Sequence, residues 1–288
     1  MPITLTNANL VMDLIDPRAD RDQLGSRYSH SGYIRQVRLH GVQALAMPRR
    51  PFQVFHGRGF PAEFETPVGY ADAAVGEPFL KLGVGRVIKV APHAYTNWDE
   101  HPVAAPADHH VSTTTASAVF HQSSRLGDWA YDYRTQIELV AANAFAVGHT
   151  LANTGTAAWQ TSWYSHVFLD RALFTDPLRV TPGPGWQPAA DTDLAADGAA
   201  CALPPAGRSN GEEGLCCHWQ RVADGTDSHG VTSARAVFSA AGDYEPTAFM
   251  VYANEHIVSP EPRRHLDLAP GQSTTWRTTY RVDGLTSA

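Results

Sequence analysis

Two ionisable side chains in this sequence have settings that suit proton transfer. His166 lies in the middle of an otherwise hydrophobic run, TSWYSHVFL, and Glu261 lies between two prolines in IVSPEPRRHL. Because Pro260 and Pro262 fix the backbone angle φ and remove two backbone donors, they would aim the Glu261 side chain reproducibly. A histidine and a glutamate within hydrogen-bond reach of one substrate can act as general acid and general base.

Both residues also have an ordinary structural interpretation. A single histidine in an apolar strand is more often a packed core residue, and a glutamate beside prolines is often exposed at a strand end. Alternation along TSWYSHVFL places Tyr164, His166 and Phe168 on one face of a strand, with Trp163 on the other. The pattern therefore predicts an aromatic residue on each side of the histidine, whether in a core or in a pocket.

A third stretch, FHGRGFPAEFETPVGY, mixes polar groups with glycines and aromatic residues. Loops of this composition on a rigid β scaffold are common binding sites. We take His56, Arg58 and Glu63 from it as candidate binding residues. The alternative is a surface turn in which Arg58 pairs with Glu63 or Glu65, an interaction of little energetic value.

The elements that must position these side chains are β-strands. YIRQVRL, YRTQIELV, FAVGHTLAN and TWRTTYRV alternate in the manner of strands, and NTG, PGPG, AAGD and APGQ separate them as turns. Helical patterns are few, and no repeat of 20–50 residues is visible. We therefore expect an all-β sandwich or barrel in a single domain over 1–288, with an irregular excursion around 181–214.

Composition excludes several classes of partner. The 288 residues carry a formal net charge of −7 and no run of Lys or Arg longer than a pair, so we expect neither nucleic acid nor a membrane surface as a partner. No apolar segment reaches the 18 residues or so of a membrane helix. The three cysteines suggest no disulfide framework and the first residues do not resemble a secretory signal, which together predict a cytoplasmic protein.

No metal or cofactor is predicted. His109 and His110 are adjacent, so on a strand they point to opposite faces and cannot chelate one ion together. Vicinal Cys216 and Cys217 meet the same objection. The G-x-G of GVGRVIK lacks a third glycine and a following helix, so it does not indicate a dinucleotide loop.

Several stretches, taken in order, resemble the aldose 1-epimerase (galactose mutarotase)-like superfamily. NTGTAAWQTSWYSHVFL is similar to the family segment in which an Asn-x-Gly turn leads to the strand bearing the catalytic histidine. IVSPEP resembles the late strand that ends in Glu-Pro, and LDLAPGQSTTWRTTYRV resembles the closing strand. VFHGRGF is more loosely similar to a Leu-His-Gly-Gly loop whose histidine contacts the sugar. The resemblance runs from Gly25 to Val282.

The resemblance implies a large antiparallel β-supersandwich and an isomerase that interconverts sugar anomers without a cofactor. His166 would be the general acid and Glu261 the general base, with His56, Tyr164 and Phe168 around the sugar. Since opposite charges stabilise each other, we expect the pair to lower the pKa of the glutamate and raise that of the histidine.

Departures from the family leave the substrate open. The family's early Gly-Arg-x-x-Asn-Arg segment is not evident, so Arg27 or Arg58 would have to supply its arginine, and its sugar-binding aspartate has no clear counterpart. A phosphorylated sugar would need two or more cations near the pocket, for which the candidates are Arg58, Lys81, Arg263 and Arg264. The same pair would also suit a carbohydrate lyase or isomerase, and a shallow pocket would suit a non-catalytic carbohydrate-binding domain. The sequence does not indicate an oligomeric state.

Overall fold

The computed structural model describes residues 3–174, 177–189, 196–197, 200–203 and 214–285. Within these ranges the regular structure is β-strand, apart from single 3₁₀ turns at Arg21–Gln23, Val54–His56 and Arg171–Leu173. No helix in the described ranges is long and apolar enough to cross a bilayer. The strands in chain order are β1 (Ile3–Thr6), β2 (Leu10–Leu14), β3 (Ile34–Leu39), β4 (Val42–Gln43), β5 (Ala62–Phe64), β6 (Pro78–Lys81), β7 (Gly85–Ile88), β8 (Val103–Pro106), β9 (Asp108–Thr113), β10 (Ser117–Leu126), β11 (Trp129–Ala141), β12 (Ala144–Asn153), β13 (Trp159–Ser165), β14 (Leu169–Asp170), β15 (Leu178–Pro182), β16 (Trp186–Pro188), β17 (Ala196–Asp197), β18 (Ala200–Leu203), β19 (Leu215–Arg221), β20 (Ser228–Thr232), β21 (Val237–Gly242), β22 (Ala248–Ala253), β23 (Ile257–Leu268) and β24 (Ser273–Asp283).

Two large antiparallel sheets dominate the fold. The first has ten strands in the order β17-β18-β15-β20-β21-β24-β12-β11-β10-β9. The second has the order β16-β19-β22-β23-β13-β5, and β14 also pairs with β23. Two smaller sheets, β1-β2-β3-β4 and β6-β7-β8, complete the described structure. The predicted all-β antiparallel sandwich is confirmed.

Period-two alternation decides which faces are buried. On β24, Trp276, Thr278, Tyr280 and Val282 are all buried, as the pattern of TWRTTYRV predicts. Tyr280 belongs to the main hydrophobic core, which draws side chains from both large sheets and from the four-stranded sheet. Each fully buried aromatic or aliphatic side chain contributes about 1.5–3 kcal/mol to the folded state.

The stretch expected to be irregular, 181–214, contains strands. Pro182 ends β15, and β16, β17 and β18 follow within the described residues. Trp186 and Leu203 are buried in the main core, which explains why the chain returns to the sheets there. These strands have only two to four residues, too few for alternation to be visible in the sequence. Residues 190–195, 198–199 and 204–213 lie outside the described ranges.

Candidate active site

His166 and Glu261 face each other across neighbouring strands of the second large sheet. β13 pairs with β23 up to Tyr164, which lies opposite Arg263, and β14 resumes pairing with β23 in the same antiparallel register. Two residues further along this register, His166 falls opposite Glu261. Directly opposed residues on one face of an antiparallel pair have their Cβ atoms within side-chain contact distance.

Two prolines interrupt the backbone ladder at this point. Pro260 and Pro262 pair without a break with β22, whereas the ladder between β23 and β13 stops two residues short of His166. A proline has no N–H to donate, so the segment that carries the histidine receives no backbone bonds from these two residues. The His166 N–H instead donates to the Pro61 carbonyl at 2.8 Å, which fixes the segment against the neighbouring loop.

The two side chains form a buried pair. His166 Nε2 lies 3.2 Å from Glu261 Oε1, and the two residues are only 5% and 1% exposed. On the other side of the ring, His166 Nδ1 is hydrogen-bonded to Ser259 Oγ at 2.7 Å. Because a hydroxyl can donate or accept, Ser259 can stabilise either tautomer of the imidazole. The hydrogen bond between His166 and Ser259 can therefore persist whichever member of the pair carries the proton.

Burial shifts the pKa of each member of the pair towards its neutral form. Loss of solvation raises the pKa of Glu261 to about 8, despite the opposing effect of the Arg263 and Arg27 cations. Loss of solvation also lowers the pKa of His166 well below its ordinary value, and the same two arginines lower it further. The expectation that the pair would lower the pKa of Glu261 and raise that of His166 is wrong, because the cost of burying both charges dominates. Near neutral pH the pair holds one proton.

A second buried carboxylate, Glu63, anchors the wall of the site. Its Oε2 accepts hydrogen bonds from Arg27 Nε at 3.0 Å and from the Tyr164 hydroxyl at 2.6 Å. Lys81 Nζ lies 3.7 Å from Oε1. Burial alone would raise the pKa of Glu63, but Arg27, Lys81 and Tyr164 together hold it below its ordinary value. Glu63 therefore stays ionised and fixes the positions of Arg27 and Tyr164.

An open cavity of about 390 Å³ extends from the pair to the surface. His56, Tyr164, Phe168 and Arg263, all named from the sequence, line it together with the pair. The Arg263 guanidinium lies 3.3 Å from Glu65 and 3.8 Å from Glu261. The cavity thus combines aromatic walls with convergent charged groups, an arrangement typical of small-molecule sites.

Four residues named from the sequence do not line the cavity: Arg58, Glu63, Lys81 and Arg264. The Arg264 guanidinium hydrogen-bonds to the start of β24 instead. Arg58 does not line the cavity: its guanidinium hydrogen-bonds to Gln23 and lies 4.5 Å from the centre of the Phe52 ring. Neither of the alternative partners, Glu63 or Glu65, pairs with it. Glu63 and Lys81 are 0% and 1% exposed and lie behind the cavity wall, so they cannot touch a substrate directly. Their predicted role in substrate binding is corrected to one of support.

Sequence reasoning missed several residues of the site. Arg27 lines the cavity and had been named only as an alternative source of the family's arginine. Ser259 lies two residues before Glu261, and the period of a strand could have placed both on one face. Tyr28, Trp98 and Glu65 also line the cavity, but no local pattern distinguishes them, because their position depends on contacts distant in sequence.

No group of three histidine, cysteine, aspartate or glutamate side chains is placed to hold a metal ion in the part of the chain that the structure describes. His109 and His110 lie within β9, where adjacent side chains point to opposite faces.

Solved structures of similar architecture place the fold in a known class. A galactose mutarotase related enzyme from Lactobacillus acidophilus has a TM-score of 0.63 and 12% identity, over 100% of this chain and 99% of that chain. A galactose mutarotase-like protein from Lactobacillus casei ATCC 334 has a TM-score of 0.63 and 12% identity, over 98% and 100%. A galactose 1-epimerase from Lactobacillus acidophilus NCFM has a TM-score of 0.55 and 10% identity, over 98% and 94%.

The chain has the galactose mutarotase-like β-sandwich fold. The structural similarity covers nearly the whole length of the chain. The resemblance seen in the sequence is confirmed at the level of the fold. No protein-family model and no curated protein matches the sequence.

Proposed function

We propose that this protein is an aldose 1-epimerase-like isomerase that interconverts sugar anomers by acid/base ring opening. The observation that carries the proposal is the buried His166–Glu261 pair, with 3.2 Å between Nε2 and Oε1, at an open cavity in a galactose mutarotase-like fold. Structural neighbours described as a galactose mutarotase related enzyme and a galactose 1-epimerase support the same chemistry.

A pair that holds one proton can complete the reaction cycle. The shared proton rests on Glu261, whose pKa is the higher of the two, and it must first pass to His166 across the 3.2 Å between Oε1 and Nε2. Glu261 then takes the anomeric hydroxyl proton while His166 protonates the ring oxygen, and the C1–O5 bond breaks to give the open-chain aldehyde. The proton held by the pair now resides on Glu261. After rotation about C1–C2, Glu261 returns a proton to the carbonyl oxygen while His166 removes one from the O5 hydroxyl, which closes the ring as the other anomer. The hydroxyl of Ser259 at Nδ1 suits both tautomers.

The pKa values set the pH range in which this pair can work. Above about pH 8 Glu261 loses the shared proton, and below the lowered pKa of His166 the pair gains a second one. The rate should therefore fall on an alkaline limb near pH 8 and on an acid limb well below the ordinary pKa of histidine. An alkaline limb far above pH 8 would contradict the assignment.

Anomer interconversion followed by polarimetry tests the proposal. The panel consists of D-glucose, D-galactose, their 6-phosphates, D-glucuronate and D-galacturonate. Glu261→Gln and His166→Ala should each lower kcat by about 10²–10⁴-fold, whereas Arg58→Ala, which lies outside the cavity, should match the wild type. Unchanged rates in the first two variants would refute the acid/base assignment. Binding of a sugar by the wild type without interconversion would favour a carbohydrate-binding module instead.

A further inference from the structure

Trp98 is unusually exposed for a residue that lines a cavity. Five of the seven tryptophans are buried, Trp129 is half-buried, and Trp98 is 61% exposed, the largest value among the large apolar side chains of the described residues. A single exposed apolar residue needs no explanation on an open surface. Trp98, however, lies on the wall of the cavity that contains His166 and Glu261.

Trp98 is carried by a loop whose neighbouring side chains are packed. Trp98 lies in the connection between β7 and β8, where its backbone N–H donates to Thr96 Oγ1 at 3.2 Å. Next to this turn, the rings of Tyr95 and His101 stack with centroids 5.7 Å apart. Lys81 Nζ donates to the Tyr95 hydroxyl at 2.9 Å. The base of the loop is therefore packed, while its tip carries an indole that is largely in solvent.

Trp98 contacts Arg27, which is bound to the buried carboxylate Glu63. Its ring centroid lies 5.3 Å from the guanidinium carbon of Arg27, which lies 4.8 Å from the ring centroid of Tyr28. Glu63 holds Arg27 in turn. Because His166 and Glu261 are 5% and 1% exposed and Trp98 is 61% exposed, Trp98 lies at the mouth of the cavity and the pair lies at its base.

We propose that Trp98 is a stacking platform for the sugar ring, on which an aldopyranose rests its C–H face as it enters the cavity. This inference rests on the proposed function and adds a binding residue to that site. An aromatic face is a good partner for the apolar face of a sugar, whose hydroxyl groups remain free for polar partners. Asn97, which also lines the cavity, supplies an amide beside the platform for one of those hydroxyls.

The platform contributes to binding more than to the chemical step. Stacking takes place in the ground state and in the transition state alike, because the indole takes no part in the proton transfers. Loss of such uniform binding raises KM with little change in kcat. Trp98→Ala should therefore raise KM by roughly tenfold, with kcat within about twofold of the wild type.

Quenching of tryptophan fluorescence by acrylamide tests the platform without any need for turnover. The exposed indole of Trp98 dominates the quenchable fraction, and the sugar that binds from the panel of hexoses, 6-phosphates and hexuronates should protect it. Trp98→Phe should abolish the protected signal while retaining most of the affinity. The matched control Trp129→Phe should leave the protection unchanged, because Trp129 lies outside this cavity.

The outcomes separate this inference from the proposed function. Protection of Trp98 by a sugar of the panel, together with no interconversion of any sugar of the panel by the wild type, would support the platform and refute the epimerase. Interconversion with an unchanged KM in Trp98→Ala and no protection would refute the platform and leave the epimerase intact. No protection by any sugar of the panel would also overturn the platform. Glu261→Gln, which keeps the cavity but lacks the base, should show the same protection as the wild type.

Discussion

The stability of the protein should fall between about pH 6.5 and pH 8 because of one buried pair. In the unfolded chain Glu261 titrates near its ordinary pKa of 4.5 and His166 near 6.5. In the folded chain burial raises the pKa of Glu261 to about 8 and lowers that of His166. Stability falls with rising pH wherever the folded state binds more protons than the unfolded state.

The proton count gives the sign and the magnitude. Between pH 4.5 and 6.5 the effects of the two groups on the free energy of unfolding cancel. The unfolded chain holds one proton, on His166, and the folded chain also holds one, on Glu261. From pH 6.5 to about 8 the folded pair still holds its proton and the unfolded pair holds none. That interval corresponds to a loss of about 2 kcal/mol of unfolding free energy. Above the raised pKa of Glu261 the loss is complete.

Urea unfolding of the wild type and of Glu261→Gln at pH 6, 7, 8 and 9 measures this difference. A glutamine cannot titrate, so the variant lacks the proton that Glu261 of the folded wild type holds from pH 6 to about 8. The variant should therefore gain about 3 kcal/mol relative to the wild type between pH 6 and pH 9. Glu63→Gln is the control matched in burial. Because the pKa of Glu63 is lowered, the effect of this substitution on the free energy of unfolding should be the same from pH 6 to pH 9. Glu138→Gln, near the surface and also of lowered pKa, is a control that disturbs the core less. A wild-type to Glu261→Gln difference that is the same at every pH would refute the reasoning.

Two further variants test how the pair is held and tuned. Ser259→Ala should lower kcat by about fivefold with KM unchanged, since His166 Nδ1 loses a hydrogen bond worth about 1 kcal/mol. Polarimetry at saturating sugar measures this change. An unchanged kcat would mean that other contacts orient the imidazole ring. Arg263→Ala removes the charge that most opposes the rise in the pKa of Glu261, so the alkaline limb of the pH–rate profile should move above pH 8. An alkaline limb that stays near pH 8 or moves down would show that Arg263 does not lower the pKa of Glu261.

The alternation of side chains could be predicted from the sequence because it depends only on the period of a strand. TSWYSHVFL places Tyr164, His166 and Phe168 on one face, and all three line the cavity, while Trp163 on the other face packs into a separate hydrophobic cluster. The prolines beside Glu261 likewise mark a real interruption of the ladder. Such local rules operate within a few residues, so they can be read without knowledge of the fold.

The register between strands could not be predicted in the same way. His166 faces Glu261 only because β13 and β14 pair with β23 in one register, and that pairing is set by packing across the whole sheet. The same limit explains Arg58, which shares a promising loop with His56 but has its side chain in a different groove. The directions of the pKa shifts failed for a related reason: proximity of two charges can be guessed from a family pattern, whereas complete burial of both depends on the finished fold.

The two buried carboxylates of the site show which one is suited to chemistry. Glu63 and Glu261 are both at most 1% exposed, yet the pKa of Glu63 is lowered and that of Glu261 is raised to about 8. The difference comes from their partners, because Arg27 and Tyr164 donate hydrogen bonds directly to Glu63, and Lys81 lies close to it. Glu261 has a neutral imidazole at 3.2 Å and a guanidinium only at 3.8 Å. A carboxylate fixed in one charge state can position its neighbours, whereas one that titrates near neutral pH can both give and take a proton.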